Sequence, residues 1–376
     1  MANNDDKESY SQGFGDTKGP SPSVPPCASR VGDMGEFSLI DTLTKRIRSA
    51  GNSSVLVGIG DDAAVIRMGE GKNLLVTCDM LVEDHHFIRG KIMPEQLGSK
   101  ALAVSLSDIA AMGGRPRYAL VSAGWPPELE LEYAQGIYRG MDRLADEFEV
   151  SIIGGDTVRS PQIILDVAVI GEIDGPPITR AGARIGDLIA VTGFLGASAA
   201  GLALIKGQCG NETVSGLDKE TVRSLLSAHL EPRPRVGEAE VLLRNGPPSA
   251  MIDLSDGLAG DLYHICENSG VGALLLSSQL PVGENVRQAA AALEKNFLDW
   301  ALYGGEDYEL LMTIPPDLFA PIKRAIDGLG TNLSVIGQVL AEDEGVRILE
   351  ANGAVNRLGH YSFDHFDRCQ APVKKC

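Results

Sequence analysis

Residues 131–170 read LEYAQGIYRGMDRLADEFEVSIIGGDTVRSPQIILDVAVI, and this stretch decides the fold class. Leu131 to Phe148 repeats apolar residues at helical spacing, which predicts a helix. Val150 to Ile153 is a short apolar run with strand character, and Ile163 to Ile170 is a second one. Between them Gly154-Gly155-Asp156 has the composition of a turn. Helix, strand, turn and strand in succession predict an alternating α/β chain.

The alternation extends in both directions. Gln96 to Met112 is a helix candidate with Leu102, Leu106 and Ile109 on its inner face and Gly113-Gly114 as C-terminal caps. Leu74 to Thr77 reads as a short strand, and Phe37 to Ser49 as an amphipathic helix through Leu39, Ile40, Leu43 and Ile47. Toward the other end come a strand Leu188 to Thr192, a helix Ala197 to Lys206, a strand Ala250 to Leu254 and a helix Gly257 to Asn268. Further strands fall around Leu310 to Ile314 and Leu333 to Val339. Gly and Pro concentrate around Gly175 to Asp187, in DGPPITRAGARIGD, which sets a domain boundary near residue 180. A chain of 376 residues can bury two separate cores, so two α/β domains over 34–180 and 181–368 are expected, with a tail over 369–376. Residues 1–33, polar and rich in Gly, Pro and Ser, are expected to be disordered and lack the layout of a secretory signal.

A formal net charge of -18, from 51 acidic against 33 basic residues, argues against a nucleic-acid surface. An acidic protein that handles phosphates must meet them through divalent cations. The six cysteines are scattered without a CxxC pair, which excludes a zinc knuckle or disulfide framework and fits a reducing, cytoplasmic setting. No apolar run approaches the roughly 20 residues of a membrane helix, so no membrane partner is expected.

The candidate chemistry is a recurring aspartate after an apolar run: Asp61-Asp62 in GIGDD, Asp79 in TCD, Asp156 in GGD, and Asp253 and Asp256 in IDLSD. Asp108 adds a carboxylate on the helix that ends AAMGG, and Glu306-Asp307 follows the pair Gly304-Gly305. One Asp beside Gly is ordinary turn chemistry. The repetition at one place in the local topology is not, and carboxylates grouped in a cleft call for bound metal. Oxygen ligands without HExxH or paired cysteines point to Mg2+ rather than zinc. His85-His86 is the one histidine pair, and its members project in different directions. No GxxxxGK[ST] loop, kinase-type loop or dinucleotide fingerprint is present, so nucleotide binding rests on metals, with Lys100, Arg159 and Arg180 as candidate basic partners.

Taken in order, GIGDDAAV, TCDMLVEDHHF, KALAVSLSDIAAMGGRP, IIGGDTVRS, TRAGARIGD, HLEPRPR, IDLSDGLAGDL and YGGEDYEL resemble the motif series of the thiamine-monophosphate kinase family, over about residues 35 to 366. The resemblance implies the two-domain aminoimidazole ribonucleotide synthetase-like fold, α/β (α+β), each domain a mixed sheet packed with helices, the first binding ATP and Mg2+. It implies Mg2+ ligands at Asp62, Thr77, Cys78, Asp79, Asp108, Asp156, Asp253 and Asp256. ATP would meet Tyr138, Gly155, Asp156, Arg180 and Ser255, and the thiamine phosphate His86, Glu306 and Phe363. Cys78 stands where the family usually has a hydroxyl residue, so only its backbone carbonyl would serve as a hard ligand. Phe363 is preferred over Tyr361 for its spacing to Asp364-His365-Phe366. A homodimer is implied as well.

The implied reaction is transfer of the ATP γ-phosphoryl group to thiamine monophosphate. The acceptor is a phosphate whose second pKa is about 6, already anionic at neutral pH, so no base is needed. Direct in-line transfer without a phosphoenzyme is expected, because no histidine or aspartate stands out as a nucleophile against the metal-ligand role. Two other readings keep the aspartates: a synthetase of the same superfamily acting on a phosphoribosyl compound, and a non-catalytic Mg-nucleotide- or Ca2+-binding protein. The last fits poorly, because regulatory calcium sites are contiguous loops.

Overall fold

A computed structural model of the chain describes residues 36–44, 53–69, 71–207 and 216–359. The expected disordered stretch 1–33, the first helix beyond Thr44 with Ile47, the aromatics Tyr361 and Phe363, and the tail 369–376 lie outside those residues. After α1 (Glu36–Thr44), the first sheet collects β1 (Val55–Val57), β2 (Ala64–Gly69), β3 (Lys72–Val82), β4 (Arg115–Trp125), β5 (Ser151–Arg159) and β6 (Ile164–Asp174). Their order is β1-β2-β3-β6-β4-β5, and only β4 and β5 run parallel. Two helices, α2 (Pro94–Ala111) and α3 (Leu131–Glu147), pack on this sheet through Leu97, Leu102, Leu106, Ile137 and Met141.

The second sheet contains β7 (Leu188–Thr192), β8 (Ala250–Asp253), β9 (Gly272–Leu276), β10 (Leu310–Ile314), β11 (Leu333–Leu340), β12 (Val346–Leu349) and β13 (Val355–Arg357). Its order is β13-β12-β9-β11-β7-β10-β8, with β9 and β12 the parallel pair. Around it run α4 (Ala197–Gly207), α5 (Lys219–Leu230), α6 (Val236–Asn245), α7 (Leu258–Ser269), α8 (Glu284–Ala292), α9 (Phe297–Tyr303) and α10 (Pro316–Asp327). Alternate residues of its central strands divide between two cores. Ile189, Val191, Ile252 and Leu311 pack on one side, and Ala190, Met251, Leu310 and Met312 on the other. That second core also receives Ala110 and Ala111, so α2 contributes to both sheets and is buried on nearly every side.

Both sheets are mixed and packed with helices, as the fold class requires. Their pairing is mostly antiparallel, because hairpin neighbours such as β2–β3 pair directly and β6 returns between β3 and β4. Two predicted turns are corrected. Thr77-Cys78-Asp79 lies in the middle of β3, which pairs with β6 along its whole length, rather than after a short strand. Its polar residues interrupt the apolar run without ending the strand, since Thr77 and Asp79 are hydrogen-bonded within the fold.

Gly154-Gly155-Asp156 is likewise interior to β5 rather than a turn. The glycines mark an irregular step in the β4–β5 register and a close backbone approach, because a Cβ on Gly155 would sit 1.7 Å from the Val121 carbonyl oxygen. The helix over Gln96 to Met112 stands as expected, with Gly113 at φ +77° just beyond it.

Candidate active site

Three of the predicted carboxylates meet. Asp62 comes from the loop before β2, Asp108 from the last turn of α2 and Asp253 from the end of β8, and one oxygen of each lies within 4.8 Å of the others. Both sheets therefore contribute, with α2 carrying Asp108 between them. Hydroxyls hold the cluster: Thr77 Oγ1 donates to Asp108 at 2.6 Å and Ser107 Oγ to Asp253 at 2.5 Å. Ser105 Oγ donates to Asp79 at 2.8 Å. Arg180 reaches Asp62 Oδ1 through Nη2 at 2.6 Å and Nε at 3.2 Å. Asp61 turns away from the cluster and accepts from the backbone amides of Asp62 and Arg180.

The electrostatics are those of crowded, desolvated acids. Burial pushes Asp62 up to about 7 against the opposing pull of Arg180, and Asp253 up to about 6 against Ser107 and Arg180. Burial and the neighbouring carboxylates, Asp79 first, raise Asp108 well above its ordinary value. Oδ2 of Asp62 is buried and has no hydrogen-bond partner among the described residues.

Beside the cluster opens a cavity of about 1150 Å³. Cys78, Asp79, His86, Ser255, Asp256 and Glu306 all line it, so six of the predicted residues share one wall system. Alternation along β3 turns the Cys78 side chain to the face opposite Thr77 and Asp79. Tyr138, on α3, and Gly155 and Asp156, on the edge strand β5, are exposed and are not among the cavity-lining residues. The arrangement leaves these three apart from the cluster within one chain.

Sequence reasoning missed part of the site. Ser105 and Ser107 lie within a run of apolar residues on α2, and their only signal was polarity inside a helix buried on both sides. Asp261 accepts from the Gly257 amide at 3.1 Å and is held well above the usual carboxylate range by burial. His229 stands within the HLEPRPR motif and is buried against Glu306, its pKa lowered to about 4 by burial and the Lys100 charge.

A family profile described as AIR synthase related protein, N-terminal domain, matches residues 60–173, and one for the C-terminal domain matches 184–350. Thiamine-monophosphate kinase of Bacillus subtilis is 37% identical over 335 residues, covering 89% of this chain and 100% of the relative. The chain belongs to the thiamine-monophosphate kinase family. The Escherichia coli K12 member is 37% identical over 333 residues, 88% of this chain and 98% of the relative. Among solved structures, AaThiL complexed with AMPPCP and TMP superposes with a TM-score of 0.78 at 32% identity, covering 90% of this chain and 99% of that one. The thiamine-monophosphate kinase of Aquifex aeolicus gives 0.73 at 31% identity, over 88% and 100%. The hydrogenase maturation protein HypE of E. coli, at 21% identity and a TM-score of 0.63, shares the fold. Kinase-family membership thus rests on nearly the whole chain.

Proposed function

We propose that this chain is an ATP-dependent phosphotransferase that converts thiamine monophosphate to thiamine diphosphate. The observation that carries the reading is the cavity itself, lined by Asp79 of the first sheet, Asp256 after β8 of the second, Glu306 and His86, and set beside the cluster of Asp62, Asp108 and Asp253 in a thiamine-monophosphate kinase fold. A relative holds AMPPCP and TMP together, the pair of ligands such a reaction needs.

The donor set fits Mg2+. Its oxygens are all hard, three of them converge within 4.8 Å, and Asp62 Oδ2 is buried with no partner among the described residues. Asp62, Asp108 and Asp253, with Thr77, Asp79 and Asp256 beside them, would hold the ions, as would Asp156 and the Cys78 carbonyl. An ion held there would supply the positive charge that offsets the phosphates. The chain's own residues do the rest. Arg180 keeps Asp62 oriented, and the hydroxyls of Ser105, Ser107 and Thr77 lock the rotamers of Asp79, Asp253 and Asp108. Tyr138, Gly155, Arg180 and Ser255 are proposed for ATP, and His86, Glu306 and Phe363 for the thiamine phosphate. The acceptor phosphate is its own nucleophile, so transfer is direct and in line.

The homodimer belongs to the same proposal. On the first sheet Met68, Met80, Tyr118, Leu120, Ile153 and Val158 are exposed, an apolar face suited to a second copy. Among the described residues no helix is long and apolar enough to cross a membrane, and a cytoplasmic location completes the reading.

Incubation with ATP, Mg2+ and thiamine monophosphate should give thiamine diphosphate by chromatography. No product across a range of cations defeats the proposal. Labelled γ-phosphate recovered covalently on the denatured, turnover-competent protein would defeat the direct mechanism alone.

A further inference from the structure

Lys100 is a charged residue in the interior of an apolar helix, only 1% exposed. An ammonium there costs dearly unless every donor is matched. All three are. Nζ lies 2.9 Å from Glu306 Oε1 and 3.0 Å from Oε2, and 3.1 Å from the carbonyl oxygen of His229. The contact therefore ties α2 of the first sheet to α5 and to the loop before β10, both of the second.

Glu306 is held from several sides. His229 Nδ1 stands 3.1 Å from Oε2 and 3.0 Å from Ser198 Oγ. Its own backbone is in the left-handed region at φ +64°, with its amide donating to Ser255 at 2.8 Å. A Cβ on the preceding Gly305 would lie 2.5 Å from that same Ser255 oxygen. Strain of this kind persists only where the surroundings over-determine it. The Glu306 side chain nonetheless keeps 24% of its surface open, on a cavity also lined by Trp300 and Tyr303.

Resting on the functional reading above, we infer that Lys100 is a positioning residue that acts through Glu306. It fixes the carboxylate against His229, so that the remaining lone pairs face the amino-substituted, cationic ring system of thiamine monophosphate rather than its phosphate. A carboxylate offers about four acceptor positions, and Lys100 and His229 occupy those on the protein side. What remains is a directed acceptor for an N–H donor, beside aromatic rings able to take a cationic ring. The role is recognition of the ring end of the acceptor, not the chemistry.

The test is steady-state kinetics with each substrate varied in turn. Lys100→Met should raise KM for thiamine monophosphate by about 30-fold or more while KM for ATP moves by less than about 3-fold. In the Glu306→Gln background the same substitution should change KM for thiamine monophosphate by less than about 3-fold, because its route of action is already gone. Should Lys100→Met alone fail to fold, the double variant leaves no unpaired charge. It should then fold and match Glu306→Gln.

Equal increases in both KM values, or a further loss of about 10-fold in the Glu306→Gln background, overturn the inference while leaving the function standing. A wild-type protein that forms no thiamine diphosphate overturns the functional reading and this inference with it.

Discussion

Two neighbouring sides of the site, the aspartate cluster and the Glu306 wall of the cavity beside it, crowd carboxylates and solve the same electrostatic problem in opposite ways. At Asp62, Asp108 and Asp253 the protein supplies one guanidinium and a few hydroxyls, and burial pushes the acids up. At Glu306 it supplies an ammonium and an imidazole, and the Lys100 charge, with His229, outweighs burial and draws the carboxyl below its ordinary value. The first side is short of positive charge, whereas the second is complete. Cations are expected where the fold leaves charge unbalanced, and shape recognition where it does not.

The largest expected effect breaks the first side. Asp253→Asn should lower kcat by about 10³-fold or more, the scale at which charge stabilisation in phosphoryl transfer is lost. Stability in chelator should be unchanged or higher, because an acid already pushed up to about 6 loses little when neutralised. Near-normal turnover would remove the cluster from the chemistry.

Glu306→Gln sharpens the contrast through the opposite sign. It should raise KM for thiamine monophosphate, and also destabilise the fold by about 3 kcal/mol, because Lys100 is left as a buried charge without its counter-ion. Thermal or urea unfolding beside Asp253→Asn compares the two directly.

A pH series separates the sides further. Asp62 at about 7 and Asp253 at about 6 lie above their unfolded values, so the metal-free folded chain binds more protons than the unfolded chain between pH 4 and 7. The protein therefore loses stability from these groups as pH rises through that window, and Mg2+ should restore it. His229, lowered to about 4, acts the other way and costs stability as pH falls from 6.5 toward 4. A melting temperature in chelator that rises from pH 6 to pH 8 would contradict the aspartate side.

The smallest effect is at Cys78. Its side chain lies on the face of β3 away from Thr77 and Asp79, so Cys78→Ser should alter kcat/KM by less than about 3-fold, measured by the same assay.

Much of this arrangement was legible in the sequence, for identifiable reasons. The helix over Gln96 to Met112 and the strand over Leu310 to Ile314 have clear apolar patterns and end signals, and both formed where expected. Asp62, Asp108 and Asp253 stand in short motifs, although nothing local says that α2 would bring one oxygen of each within 4.8 Å of the others. The two misplaced turns came from reading polar residues and glycines as breaks in a strand. In β3 the polar side chains are held by partners on α2, and in β5 the glycines admit the neighbouring backbone. Lys100, His229 and Glu306 are far apart in the chain, and only the packing of α2 between the two sheets joins them. No pattern along one strand or helix encodes that meeting.

The contrast between the two sides is tested most directly by anomalous scattering from crystals grown with Mn2+ and AMPPCP. The account predicts Mn2+ peaks ligated by Asp62, Asp108 and Asp253, and none between Lys100 and Glu306. Nucleotide bound in the cavity with no metal at those three aspartates would contradict it.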